Sequence, residues 1–204
     1  MYAAIVFLPL LGAIIAGFGG RMLGDRGSQI VTCGAMGLSA IFGVILFFDV
    51  AVNHQPVTVE LFTWIQSGSM DAAWALKFDT LTAVMVIVVT VVSTMVHVYS
   101  IGYMSHDPHN PRFFAYLSLF TFAMLMLVTA DNLVQMFMGW EGVGLASYLL
   151  IGFWYHKPSA NAAAIKAFLV NRVGDFGFAI GIAAIFFVFG TLSYEEVFAA
   201  APDQ

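Results

Sequence analysis

One acidic residue, Glu141, lies inside a run of apolar and small residues at 138–154. A charged side chain near the centre of a bilayer costs roughly 2.5–3.5 kcal/mol on insertion scales, so such residues usually face the protein interior and have a partner. An acid in this position is typical of an ion or proton path. The alternative is a structural role, in which the carboxyl group hydrogen-bonds a neighbouring helix.

Arg172 and Asp175 form a second charged group, several residues inside another apolar run. Residues three apart are neighbours on one face of a helix, so the two side chains can pair. Pairing makes both charges tolerable in lipid, whatever their use. The two residues are therefore either a self-neutralised structural pair or a part of the same charged path as Glu141.

The helix that carries Glu141 has two distinct faces at helical spacing. The acid shares one face with a phenol and two glycines, namely Gly144, Tyr148 and Gly152. The glycines leave room for water or another side chain, and Tyr148 is a candidate polar lining. A strip of small residues on the other face, formed by Gly139, Gly142 and Ala146, predicts close packing against another helix.

His97 is a single histidine among apolar residues, and the nearby sequence adds two more histidines. Such a residue is most often a hydrogen-bonded packing residue, but it can also titrate near neutral pH and relay protons. His106 and His109 invite a metal site, yet Pro108 and Pro111 favour a turn, and no cysteine or second acid completes a ligand set. The sequence therefore predicts no metal site.

The composition requires a lipid environment for most of the chain. Of the 204 residues, 61% are hydrophobic and 9% are charged, and the mean hydropathy is +0.91. A soluble domain has about 25% charged residues. The net charge of −5 excludes a general attraction to nucleic acid, and the single cysteine, Cys33, excludes an internal disulfide. Phosphate loops, nucleophile elbows and dinucleotide fingerprints are absent from the sequence, so no redox or hydrolytic chemistry is expected in this chain.

The apolar runs predict an all-α membrane protein of about six transmembrane helices in a single domain, 1–204. The predicted spans are 2–22, 29–50, 80–101, 113–130, 133–154 and 162–189. Within loop 51–79, two β-prone runs flank the turn residues 66–69 and predict a short β-hairpin. Trp64 and Trp74 of this hairpin are expected near the lipid headgroups.

Charge in the loops predicts the orientation. The loops after the first, third and fifth spans are rich in cations: Arg21, Arg26, Arg112, Lys157 and Lys166. The alternate segments carry Lys77 with the acids Asp49, Glu60, Asp71, Asp131, Glu195 and Glu196. The positive-inside rule therefore places the cationic loops in the cytoplasm and the N-terminus outside.

Five blocks of sequence together resemble one family. They are HVYSIGYM at 97–104, RFFAYL at 112–117, GWEGVGL at 139–145, SYLLIGF at 147–153 and NRVGDFG at 171–177. The chain is similar to the N-terminal part of subunit L of proton-translocating NADH:quinone oxidoreductase, respiratory complex I, of the antiporter-like (Mrp-type) superfamily.

The resemblance implies the first part of an antiporter-like bundle that conducts protons through charged residues. Glu141 matches a glutamate that pairs in the family with a lysine on helix 7, while Arg172 and Asp175 match charged positions on helix 6. That lysine and the second bundle would lie beyond Gln204, so the chain is expected to be an N-terminal fragment of a longer subunit.

The resemblance also implies the surroundings of the chain. It would be a translocase subunit in a bacterial cytoplasmic (inner) membrane, beside M- and N-type membrane subunits. NADH, FMN, Fe–S clusters and quinone would belong to partner subunits, with no cofactor in this chain. A subunit of a multisubunit Na⁺/H⁺ antiporter and a purely structural membrane subunit are the alternatives.

Overall fold

The computed structural model describes residues 1–67 and 70–201. Its elements, in chain order, are α1 (Tyr2–Phe47), a π-helical turn (Phe48–Val52), β1 (Val57–Ser67), β2 (Met70–Phe78), α2 (Thr80–Tyr103), α3 (Asn110–Val128), α4 (Leu133–Ile151), α5 (Pro158–Phe189) and α6 (Tyr194–Ala200). A helical membrane protein with one small two-stranded sheet confirms the predicted fold class.

The first two predicted spans, 2–22 and 29–50, lie in α1 and in the π-helical turn that continues it, and α1 reverses at Gly24. Backbone angles of φ 66° and ψ −173° interrupt the helix at this residue, in a region that glycine tolerates because it has no Cβ. The two arms run antiparallel, since the hydroxyl of Ser39 donates to the carbonyl of Ile5 at 2.6 Å. A reversal centred on one glycine therefore replaces the longer loop that the sequence predicted.

Four helical segments of the described chain are long and apolar enough to cross a membrane: Tyr2–Val52, Thr80–Tyr103, Asn110–Val128 and Pro158–Phe189. The first of them holds both arms of α1. Helix α4, which occupies most of the predicted span 133–154, is not among the four. Gln135, Glu141 and the glycines of α4 lower its mean hydropathy.

The predicted β-hairpin is confirmed. Strand β1 pairs antiparallel with β2, from Val57 opposite Phe78 to Ser67 opposite Met70, with two irregularities in the register. Residues 68 and 69 of the predicted turn lie outside the described residues. The rings of Trp64 and Trp74 meet edge to face with centroids 4.8 Å apart.

The two ends of the bundle differ in chemistry. The hairpin end holds a buried apolar cluster, which includes Ile5, Leu46, Leu76, Phe78, Val86 and Leu125. The opposite end, here called the basic end, carries Arg21, Arg112 and Lys157. Between them, large apolar side chains such as Phe18 and Phe187 are each 90% exposed on the protein surface, which suits a lipid environment.

Helix α3 occupies the middle of the bundle. It packs against α1, α2 and α4, whereas α5 packs chiefly against α4. At the hairpin end, Asn132 caps the N-terminus of α4, and its side-chain oxygen accepts from the backbone N–H of Gln135 at 2.9 Å. This cap satisfies one of the free amides of the first turn. The arrangement leaves the α4–α5 pair at one edge of the bundle, with the charged residues between the two helices.

Candidate functional site

Helices α4 and α5 pack antiparallel along the face that carries Glu141. The contacts between the two helices begin at Phe137 and Phe178, whose ring centroids are 5.6 Å apart, and continue to the basic end. There, a Cβ placed on Gly152 would lie 3.2 Å from the Cβ of Ala164. The predicted glycine-and-phenol face of α4 is therefore the face that contacts α5.

Arg172 of α5 lies between two carboxylates. Its Nη1 forms an ion pair with Oε2 of Glu141 on α4. The same nitrogen is 3.3 Å from Oδ2 of Asp175, one turn further along α5. The structure therefore joins Glu141, Arg172 and Asp175 into one group, here called the charged triad.

Neighbouring side chains hold the charged triad in place. The indole N–H of Trp140 donates to Oδ1 of Asp175 at 2.7 Å, and the guanidinium carbon of Arg172 lies 4.5 Å from the ring centroid of Phe168. Gly144 faces the guanidinium, since a Cβ there would be in van der Waals contact with Nη2 of Arg172 at 4.0 Å. Each charged side chain thus has a specific partner on the opposite helix or its own.

The three side chains of the charged triad differ in how far they are exposed. The side chain of Asp175 is 8% exposed, that of Glu141 23% and that of Arg172 34%. The Nε of Arg172 is buried and has no hydrogen-bond partner among the described residues. Because a guanidinium stays protonated in proteins, two ionised carboxylates give the triad a formal charge of −1. One added proton or cation would neutralise it.

The contact between Glu141 and Arg172 is one that sequence reasoning missed. The spacing of three residues paired Arg172 with Asp175, and a partner for Glu141 was expected only from a lysine beyond Gln204. The structure gives Glu141 a partner within the chain. The available signal was the presence of opposite charges in two adjacent apolar runs, since intramembrane charges usually pair. Trp140 was also missed, although an indole N–H inside an apolar run generally needs an acceptor.

Tyr148 lies on the same face of α4 as Glu141, two turns closer to the basic end. Its ring packs against Phe168 with centroids 5.4 Å apart. It also lines a cavity of about 430 Å³ together with Arg112 and Tyr116. Phe168 contacts both Tyr148 and Arg172, so a continuous set of side chains links this cavity to the charged triad.

His97 is fully buried between α2 and α3, with both ring nitrogens hydrogen-bonded. Nδ1 lies 2.8 Å from the carbonyl oxygen of Ser93, and Nε2 lies 3.0 Å from the hydroxyl of Ser118. A carbonyl only accepts, so Nδ1 carries a proton, and in the neutral imidazole Nε2 accepts from Ser118. The Ser93 hydroxyl continues the chain to Thr121 at 2.6 Å. Helix α3 lies between this polar group and α4, so His97 does not join the charged triad.

The histidines between α2 and α3 belong to a hydrogen-bonded turn. Asp107 accepts from the backbone N–H of His109 and from the indole N–H of Trp154, both at 2.8 Å. Partial desolvation raises the pKa of Asp107, but these hydrogen bonds and the nearby His109 and Arg112 outweigh it and lower the pKa. Within the described ranges, no cluster of three or more His, Cys, Asp or Glu side chains is suited to hold a metal ion.

Chains of two membrane complexes have a similar fold. The membrane-bound sulfane sulfur reductase, an archaeal respiratory membrane complex, contains a chain that superposes with a TM-score of 0.84 at 18% identity, over 99% of this chain and 40% of that one. A chain of the Mrp complex from Dietzia sp. superposes with a TM-score of 0.79 at 23% identity, over 96% of this chain and 20% of that one. The α4–α5 pair and its charged triad thus lie in a fold that is shared with chains of these two membrane complexes.

Two family models and close relatives define the family. Residues 64–114 match the N-terminus of NADH-ubiquinone oxidoreductase (complex I) chain 5, and residues 130–203 match the membrane domain of NADH:quinone oxidoreductase and Mrp antiporters. Subunit L of NADH-quinone oxidoreductase from Rhodobacter capsulatus is 56% identical over 100% of this chain. Chain 5 from Chondrus crispus is 54% identical over 99% of it. The chain therefore belongs to the chain 5/subunit L family of complex I, and it spans 29–30% of the length of these relatives.

Proposed function

We propose that this chain forms part of a proton-translocating, antiporter-like membrane subunit of NADH:quinone oxidoreductase. The observation that carries the proposal is the charged triad, in which Arg172 pairs with both Glu141 and Asp175 inside a membrane helix pair. In this role the chain is a subunit of a translocase and carries no redox chemistry of its own.

The formal charge of the charged triad suits proton binding and release. With both carboxylates ionised, the group has one negative charge in excess, which a low-dielectric site disfavours. A proton on either carboxyl group neutralises it. A change in the distance between Arg172 and Glu141 changes how strongly the guanidinium competes with a proton for the carboxylate. A cation that moves toward or away from the charged triad would then switch it between releasing and binding the proton.

Tyr148 and His97 have secondary roles in the proposal. Tyr148 lines the cavity at the basic end and reaches the charged triad through Phe168, so it is a candidate polar lining for a proton path. His97 offers a separate hydrogen-bonded chain through Ser93, Thr121 and Ser118, which could relay a proton between α2 and α3. The two groups would act independently, because α3 separates them.

The surroundings of the chain follow from the family and the charge pattern. The cationic residues of the basic end favour the cytoplasmic side of a bacterial inner membrane, with the N-terminus outside. M- and N-type membrane subunits are the proposed partners. NADH, FMN, Fe–S clusters and quinone would act in other subunits, which would drive the proton movement through this one.

The test is Glu141→Gln in the full-length subunit, assembled with its partner subunits and reconstituted in vesicles. The substitution keeps the shape of the side chain and removes its charge, so we expect fewer protons moved per electron while NADH oxidation continues. Glu195→Gln is the matched control, because Glu195 is an exposed acid at the start of α6. Normal pumping by both Glu141→Gln and Asp175→Asn would instead favour a purely structural subunit.

A second candidate function is cation exchange in a multisubunit Na⁺/H⁺ antiporter. It is favoured by the match of residues 130–203 to a family model that covers Mrp antiporters, and by the superposition on the Mrp complex. The two functions separate in vesicles that contain no NADH. A sodium gradient that drives proton movement sensitive to Glu141→Gln would support the antiporter, and proton movement only during NADH oxidation would support complex I.

A further inference from the structure

A cavity of about 430 Å³ opens at the basic end, between the ends of α3, α4 and α5. Arg112, the third residue of α3, lines it together with the aromatic residues Tyr116, Tyr148 and Tyr155 and with Asn161 of α5. Its volume lies within the range of small-molecule sites, roughly 300–1,000 Å³. The charged triad is not part of its wall.

The wall of this cavity has the chemistry of an anion site. It contains a guanidinium, three phenols and an amide, and among the described residues no carboxylate lines it. A neighbouring cavity, which shares Arg112 and Tyr116, includes Asp25 and so lacks this uniform character. Guanidinium N–H groups and phenol hydroxyls are the donors that phosphate oxygens accept from.

Arg112 is held in position with unused donor capacity. Its Nη2 donates to the carbonyl oxygen of Phe153 at 3.0 Å, and its guanidinium carbon lies 4.7 and 5.1 Å from the ring centroids of Phe153 and Tyr155. Its Nε is buried and has no hydrogen-bond partner in the described part of the chain. Hydrogen-bond partners within the chain thus use only part of the donor capacity of the guanidinium, and its terminal N–H groups remain available to a ligand oxygen in the cavity.

We propose that this cavity binds a phosphate group, with Arg112 as its cationic anchor and the tyrosines as neutral donors. Two sources share that chemistry: the headgroup of an anionic phospholipid and free inorganic phosphate. Leu149 and Ile165 also line the cavity, and apolar side chains beside a cation suit a lipid whose acyl chains lie along α5. Basic pockets between transmembrane helices on the cytoplasmic side are known lipid headgroup sites.

The test uses the protein purified from its membrane together with its partner subunits and placed in nanodiscs of phosphatidylcholine. Fluorescent phosphatidylglycerol is titrated into one set and inorganic phosphate into another. We expect Arg112→Gln to weaken phosphatidylglycerol binding roughly fivefold, as one cation near a lipid surface does. Arg112→Lys should recover part of that loss.

Arg26→Gln is the matched control, because Arg26 is an exposed cation of the reversal in α1 and lines none of the cavities described above. Its phosphatidylglycerol affinity should equal that of the unchanged protein. Binding of inorganic phosphate that depends on Arg112, without any response to the lipid, would assign the site to the free ion. Equal losses in Arg112→Gln and Arg26→Gln would overturn the proposal, since surface charge alone would then explain them.

A second pair of variants decides the case if Arg112→Gln fails to assemble. Tyr116→Phe and Tyr155→Phe, combined, remove two donors but keep the rings and the contact of Tyr155 with Arg112. We expect the combined variant to bind phosphatidylglycerol, or inorganic phosphate if that is the ion that binds the unchanged protein, about twofold to fivefold more weakly. Unchanged affinities for both ligands in this variant would also overturn the proposal.

Discussion

The indole N–H of Trp140 donates a hydrogen bond to Oδ1 of Asp175, with 2.7 Å between nitrogen and oxygen. The donor precedes Glu141 on α4, and the acceptor follows Arg172 on α5. Two adjacent residues of one helix therefore hold the two charged residues of the other. The contact orients the carboxylate of Asp175 so that its second oxygen, Oδ2, faces Arg172.

Replacing Trp140 with phenylalanine should lower the free energy of unfolding by about 1.5–3 kcal/mol, the usual contribution of a hydrogen bond to a charged group. The ring contact with Phe178 can persist, and the loss of ring size is shared with the control substitution. Denaturant titration in detergent measures the change in the free energy of unfolding. Trp154→Phe is the control, because it removes an exposed indole bond to Asp107 and should change stability by less than about 0.5 kcal/mol. Equal losses in the two variants would contradict the special role of Trp140.

Replacing Gly139 with alanine should force α3 and α4 apart. A Cβ at Gly139 would lie 2.6 Å from the backbone N and Cα of Leu127, which cannot move without shifting α3. Overpacking of this kind costs about 1–3 kcal/mol, measurable as a lower midpoint of thermal unfolding. Gly174→Ala on α5 is the control, because nothing lies within 4 Å of its Cβ. That variant should be neutral or more stable by up to about 1 kcal/mol, and a loss there as large as at Gly139 would refute the steric account.

Replacing Ser118 with alanine should leave Nε2 of His97 buried and without a donor. His97 is 0% exposed, so the expected cost is about 1–3 kcal/mol for an unsatisfied buried group. Ser105→Ala removes an exposed hydroxyl that donates to the carbonyl of Gly102, and it should have little effect on the same unfolding measurement. If proton pumping also falls in Ser118→Ala but not in Ser105→Ala, the relay role of His97 gains support.

Tyr194 of α6 should make stability depend on pH in the alkaline range. Burial and the nearby charge of Asp131 raise the pKa of Tyr194 from 10.0 to about 12. A phenol with a raised folded pKa contributes stability that is complete below its unfolded pKa and is lost as the pH rises through the folded value. Stability should therefore fall between about pH 10 and 12, and Tyr194→Phe should flatten that fall. A difference titration of phenolate absorbance that places this tyrosine near pH 10 would contradict the assignment.

The sequence predicted much of the local structure of the site, because helical spacing determines which residues share a face. The small strip of α4 lies against α3, where Gly142 approaches Ala123 and Ala146 is fully buried. The phenol-and-glycine face lies against α5, where Tyr148 meets Phe168. The roles assigned to Glu141, Arg172, Asp175, His97 and Tyr148 stay predictions.

Tertiary contacts and the backbone angles of single residues could not be predicted from the sequence. The pairing of Glu141 with Arg172 depends on how far α4 slides along α5, which the spacing within either helix does not determine. The reversal at Gly24 depends on one residue with a positive φ. Arg21 and Arg26, which flank this residue, are compatible with a longer loop as well as with a tight reversal. The sequence therefore predicted where the chain turns but not how many residues the turn takes.

Side-chain hydrogen bonds join elements at both ends of the bundle, but the hairpin end also has main-chain hydrogen bonds between elements. At the hairpin end, main-chain groups clamp the elements together: Lys77 N–H donates to Thr129 at 2.8 Å, and Leu133 N–H donates to Leu192 at 3.1 Å. At the basic end, the links across the gap between α3 and α4 rest on long side chains, chiefly that of Arg112. Hydrogen bonds made by long side chains permit more relative movement of two elements than hydrogen bonds between their main chains. Any tilting of α4 and α5 would therefore hinge near the β-strands and swing widest beside the cationic loops.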